Sequence, residues 1–154
     1  MERSQAPLLD RLIDEDPGNS GEPAQQRMLN ARQIKALVVR DLESLLNSRR
    51  SIVALPAGFR ELQNSVATYG LQDFTAKGAD SHQVRQTILK DVEKAIARFE
   101  PRLQNVKVAV ETGDQKERKL SFHISAVLVV DPIREPVTFD TFFDPIRKEY
   151  VVSD

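Results

Sequence analysis

The chain has 154 residues, 40% of them hydrophobic and 29% charged. That is one domain's length, with enough apolar material for a core and a composition unlike that of disordered chains. Basic residues number 22 against 23 acidic, a formal charge of −1, so no global field draws the protein towards nucleic acid or an anionic membrane. With no cysteine, disulfides, thiolate metal sites and thiol nucleophiles are excluded.

Residues 1–29 read as an arm. The opening residues show no secretory signal, and the longest apolar run, Ala126–Val130, is too short to cross a bilayer. A cytoplasmic protein is therefore expected. Leu8, Leu9, Leu12 and Ile13 place apolar side chains on one side of a short helix. Such a helix is too short to be stable alone, so it must dock on something. The stretch Asp14–Pro23, with Pro17, Gly18, Asn19, Ser20, Gly21 and Pro23, has the composition of a linker. The main domain is taken as residues 30–154.

The first long helix is predicted over Ala31–Ser48. Asn30 is suited to cap it, with Gln33 placed to complete a capping box. Ile34, Leu37, Val38, Leu42, Leu45 and Leu46 form its apolar stripe, while Arg32, Lys35, Arg40, Asp41 and Glu43 fall mostly elsewhere on the wheel. An irregular connection follows over residues 49–80, with Pro56, Gly58, Gly70 and Gly78 as punctuation. Leu62, Val66, Tyr69, Leu71 and Phe74 are its expected anchors, and a short helix is predicted near Glu61–Thr68. The second long helix is predicted over Ser81–Phe99, capped by Asp80 or Ser81. Val84, Ile88, Val92, Ala95, Ile96 and Phe99 form its stripe, and Pro101 disfavours a helical Glu100.

Strands fill the remainder. Val106, Val108 and Val110 alternate with polar or small residues, and a polar turn runs from Gly113 to Lys119. Leu120 to Val130 forms the next strand, with Val127 and Val129 turning its far end apolar on both faces. After a turn at Asp131-Pro132, Val137, Phe139, Thr141 and Phe143 alternate again. Asp144-Pro145 turns the chain into a short edge strand at Tyr150–Val152. Helices first and consecutive strands later predict an α+β fold. Two long helices and the short N-terminal one pack on a mainly antiparallel C-terminal sheet.

Catalytic patterns are sparse. A glycosidase needs two carboxylates at a defined separation; Glu100 stands out, but no second acid is marked by spacing. His82 and His123 lie in unrelated elements without metal-ligand spacing. They read as a surface residue in a helix's first turn and a polar-face strand residue. The glycines are scattered, with no phosphate-binding fingerprint and no nucleophile elbow. Arg49-Arg50 and Lys116–Lys119 are brief basic clusters on loops. No catalytic residue, metal or cofactor is assigned.

Phe99-Glu100-Pro101-Arg102-Leu103 is different. An acid at a helix C-terminus faces the negative end of the macrodipole, and Arg102 brings a rigid donor fork just beyond a proline. Two outcomes stay open on physics alone. The corner displays its acid and guanidinium to another chain, or the two side chains pair within their own domain.

At this point the sequence resembles a known family. Leu8-Leu9-Asp10-Arg11-Leu12, the helix segment Val39–Arg49, Ser65–Phe74, Phe99–Leu103 and Glu135–Thr141 resemble, in order, blocks of the gene-25-like baseplate family. The resemblance implies a structural role in a contractile injection machine. It implies a place in the cytoplasmic type VI secretion baseplate beside the inner membrane. There the chain would join the wedge proteins TssF, TssG and TssK and help start the TssB–TssC sheath. It implies that Glu100, Pro101 and Arg102 meet wedge partners; the arm residues Leu8, Leu9 and Leu12 are assigned to partner contact beside them. An open edge of the C-terminal sheet is the expected seat for a sheath strand. No nucleic acid and no membrane insertion are implied. The competing readings are a peptidoglycan glycosidase using Glu100 and a free regulatory adaptor.

Overall fold

The computed structural model describes residues 3–13, 18, 28–51, 58–73, 82–111, 121–144 and 146–154. The arm holds strand β1 (Arg3–Gln5) and helix α1 (Leu8–Leu12), and β1 pairs antiparallel with β2 (Met28–Asn30). This small sheet was not expected. Its strands, Arg-Ser-Gln and Met-Leu-Asn, are too short and too polar for a period-2 signal. Most of the expected linker, along with Phe74, the turn from Gly113 to Lys119 and the cap of the second long helix, lies outside the described residues.

Helix α2 (Ala31–Asn47) starts at the expected cap: Asn30 Oδ1 accepts from the Gln33 N–H at 2.9 Å, and Gln33 Oε1 accepts from the Asn30 N–H at 3.0 Å. Its buried stripe is Ile34, Val38, Leu42, Leu45 and Leu46. In the connection, helix α3 (Arg60–Gln63) is followed by a 3-10 turn at Val66–Thr68. Two expected anchors there are in fact exposed, Leu62 by 40% and Val66 by 89%. Polar bonds hold this stretch instead, with Thr68 Oγ1 donating to the Gln63 carbonyl at 2.7 Å and Ser65 Oγ to the Leu62 carbonyl at 2.7 Å. Leu71 does pack, and Tyr69 sits edge-on to Phe99 with ring centroids 5.2 Å apart. Gly70 makes the turn possible. Its φ is +97°, and a Cβ would lie 2.5 Å from the Ser48 carbonyl oxygen.

Helix α4 (His82–Phe99) buries Ile88, Val92, Ala95 and Ile96 and ends just before Glu100. Four consecutive strands then form one antiparallel sheet in chain order: β3 (Leu103–Glu111), β4 (Ser121–Val130), β5 (Ile133–Asp144) and β6 (Glu149–Ser153). Phe122, Ile124, Ala126 and Leu128 of β4 face the helices, as do Val137, Phe139 and Thr141 of β5. The α+β expectation therefore holds, with α4 against β3 and α2 against β6. The first sheet strand begins earlier than the valine alternation suggested. A register shift between Gln104 and Lys107, with Asn105 at φ 54°, lets Leu103 enter the core ahead of Val108. Val127 and Val129 are half-buried, so the far end of β4 is partly covered on its second face.

The sheet's free margins are not bare. On β6, the Val152 N–H donates to Glu43 Oε1 at 3.0 Å and the Tyr150 N–H to Asn47 Oδ1 at 2.7 Å; the Tyr150 carbonyl accepts from Asn47 Nδ2 at 2.8 Å. On β3, the Val108 N–H donates to Glu93 Oε1 at 3.0 Å. Helix side chains thus reach round both edges. The expected open edge is closed along Tyr150–Val152 and touched at one described residue of β3.

Candidate partner-binding corner

The corner is made where α4 stops. The Glu100 N–H still bonds the Ile96 carbonyl at 2.8 Å, and the Leu103 N–H bonds the Glu100 carbonyl at 3.1 Å, closing a tight turn around Pro101. The Arg102 carbonyl accepts from the Val129 N–H at 2.8 Å, which ties the turn to β4. Pro101 is exposed, but Glu100 is only 3% exposed. The proline forms the tip while the acid turns inward.

That inward turn settles which of the two outcomes holds for the pair. Arg102 Nε donates to Glu100 Oε1 at 2.6 Å, Nη2 donates to Glu100 Oε2, and the Arg102 N–H donates to Oε1 at 3.2 Å. Nη2 also reaches Asp41 Oδ2 on α2, at 2.5 Å. Glu100 and Arg102 therefore satisfy each other inside the domain and do not project outwards. Burial lowers the Arg102 pKa, but Glu100 and then Asp41 outweigh it, so the guanidinium stays firmly charged. One nitrogen, Nη1, is buried without a hydrogen-bond partner among the described residues.

Asp41 connects the corner to the arm. Its Oδ1 accepts from Arg40 Nε at 3.0 Å and Nη2 at 2.9 Å, and Arg40 Nη1 donates to Asp10 of α1 at 2.6 Å. Asp10, then Asp41, raise the Arg40 pKa above its usual value. In the sequence Arg40 and Asp41 stand only as residues off the apolar stripe and within the Val39–Arg49 family block, and Asp10 only as part of a motif. The one sequence signal for Asp10 is a lone acid inside an apolar block.

α1 is anchored on its polar side. None of its residues is buried, and Leu8, Leu9, Leu12 and Ile13 are exposed by 64%, 71%, 71% and 59%. A cleft of about 610 Å³ lies between the arm and the corner, walled by Leu8, Leu9, Tyr69, Phe99, Pro101 and Arg102. The structure thus gathers Leu8, Leu9, Glu100, Pro101 and Arg102 round one cleft, while Leu12 lies beyond its rim on the same helix. Tyr69 lines the cleft with its phenol pKa raised, first by burial and then by the charges of Asp41 and Glu100.

The remaining candidates have local explanations. His123 Nδ1 lies 2.5 Å from Asp140 Oδ1, its cross-strand neighbour, and His82 is exposed in the first turn of α4. Arg49 pairs with Asp73 at 2.5 Å and Arg50 with Asp91 at 3.0 Å; Lys116–Lys119 lies outside the described residues. Among the described residues, no cluster of His and carboxylates could hold a metal ion. Among the described residues, no helix is long and apolar enough to cross a membrane.

A family model described as baseplate wedge protein gp25 matches residues 32–133. The chain belongs to that family. No curated protein matches it. The gp25 match contains Asp41, Glu100, Pro101 and Arg102, while the arm with Leu8, Leu9, Asp10 and Leu12 lies ahead of it. The family's name describes a structural component of a baseplate. Both oxygens of Glu100, the acid on which the competing glycosidase reading rests, are engaged by Arg102.

Proposed function

We propose that the chain is the gp25-like wedge subunit of a type VI secretion baseplate, the position held by TssE, and that it works by docking without catalysing a reaction. It joins TssF, TssG and TssK on the cytoplasmic side of the inner membrane and helps start the TssB–TssC sheath. The observation that carries this reading is the exposed apolar face of α1 beside the Glu100–Arg102 corner in a gp25-family chain. A monomer that exposes Leu8, Leu9, Leu12 and Ile13 together leaves unburied the apolar surface that interfaces use.

The internal pairing of Glu100 and Arg102 changes how the corner serves. The ion pair fixes Pro101 and the cleft wall, and the contact itself comes from Pro101 and the arm leucines. A sheath strand would add at β3, because the outer margin of β6 is already bonded to Asn47 and Glu43.

The test is a double variant, Leu9→Ser with Leu12→Ser, co-expressed with TssF and TssG. Both side chains are exposed, so the isolated chain is expected to fold. Each leucine buried in an interface contributes about 1.5–3 kcal/mol, so capture is expected to weaken by at least about tenfold. Unchanged capture with normal sheath assembly would overturn the proposal.

A further inference from the structure

An amphipathic helix ordinarily buries its apolar face and leaves its charges in water. α1 does the reverse. Its apolar side chains point out, and Asp10, with an 11% exposed side chain, points in to Arg40. Among the described residues, the rest of the arm's hold on the domain is a three-residue ladder between β1 and β2, Ser4 Oγ on the Asp131 carbonyl at 2.7 Å, and the buried Ala6. Among the described residues of the arm only Ser4 and Ala6 are buried, and such a segment belongs to the easily opened end of a fold.

Asp10 is also the first of a row of alternating charges. Asp10 holds Arg40, Arg40 holds Asp41, Asp41 holds Arg102, and Arg102 holds Glu100. Asp41 gives one oxygen to each arginine. When α1 lifts, Arg40 loses Asp10 and is left with Asp41 alone. Arg40 then competes with Arg102 for Asp41, and among the described residues the Arg102 Nη1 already lacks a partner. Read the other way, the locked corner holds Asp41 where it keeps the Arg40 fork aimed at Asp10. Charge-assisted bonds of this kind are strong and directional enough to carry such a dependence.

We infer that this row couples the arm to the corner, with Asp41 as its pivot, so that the two surfaces open and close together. A partner gripping the apolar face of α1 thereby also resets the Glu100–Arg102 turn, and by linkage a partner at the corner resets the arm. The use made of the coupling rests on the docking function proposed above. The coupling itself belongs to the isolated chain and is tested there, so the two readings can fail separately.

The experiment is amide hydrogen exchange on the full chain, followed at the arm, residues 3–13, and at the Arg102 and Leu103 amides. Asp10→Asn is expected to speed exchange in the arm and also, by about threefold or more, at the corner; that exceeds the scatter of independent sites. In a chain already carrying Asp41→Asn, adding Asp10→Asn is expected to leave corner exchange unchanged. Arg102→Lys should speed exchange in the arm. If that variant fails to fold by circular dichroism, the Asp10→Asn measurement decides alone. Corner exchange that ignores Asp10→Asn would overturn the inference, whatever happens in the arm.

Discussion

At residue scale the Arg102 guanidinium is the counter-charge for an acid that is only 3% exposed. Removing it leaves Glu100 buried and unpaired, a change that destabilises by about 3–5 kcal/mol in comparable pairs. Arg102→Ala is therefore expected to unfold in markedly less urea than the wild type, and an unchanged midpoint would contradict this account of the corner. Loss of partner binding in that variant would consequently say little about direct contact. The position of the corner was legible in the sequence, because a helix stripe ending before Pro101 marks it. The direction of its side chains was not, because Asp41, the acid that completes the ionic set, lies 61 residues away. The tyrosines give a second test at this scale. Burial raises the Tyr150 phenol, and burial followed by Asp41 and Glu100 raises Tyr69. An unfolded tyrosine releases its proton near pH ~10, while the folded one keeps it. Stability from this source is complete below that pH and is lost as pH rises through the folded values. Tyr150→Phe should accordingly lose less stability than wild type between neutral pH and pH ~11, read as the shift in urea midpoint.

Among the elements, the connection between α2 and α4 shows where periodicity stops being informative. α2, α4 and the strands from β4 onwards were legible because their apolar residues recur at helix or strand spacing. The connection has apolar residues without a period, and Leu62 and Val66 turn out exposed while Leu71 is buried. Backbone geometry decides between them. The Leu71 N–H bonds the Ser48 carbonyl at 2.9 Å and the Arg50 N–H bonds the Leu71 carbonyl at 2.8 Å, a clasp that requires Gly70 to approach Ser48 closely at positive φ. A β-carbon at Gly70 would meet backbone, which cannot give way as a flexible side chain does. Gly70→Ala is expected to destabilise by about 1–3 kcal/mol from the left-handed backbone and the clash together, with α2 and α4 still formed by circular dichroism. The short ladder between β1 and β2 is illegible for a related reason: three residues per strand are too few to hold a period.

For the whole molecule, the decisive property is that two helices cover one face of a four-stranded sheet and also reach round its margins. The layering followed from helices preceding consecutive strands. Edge closure did not, since it depends on Glu43 and Asn47 lying opposite β6 after folding. An uncovered edge strand offers N–H and carbonyl groups to any neighbouring chain. By occupying two N–H groups and one carbonyl of β6, α2 removes that template from one side of the sheet, so the strand addition proposed above falls to the other. Glu43→Ala combined with Asn47→Ala should strip these caps while sparing the buried stripe of α2. The Tyr150 and Val152 amides are then expected to exchange faster, and light scattering should rise with concentration as edges pair. Exchange at wild-type rates would mean that packing of α2 on β6 closes the edge without the side-chain bonds. In that case the preference for strand addition at β3 would have to rest on the approach of α2 itself.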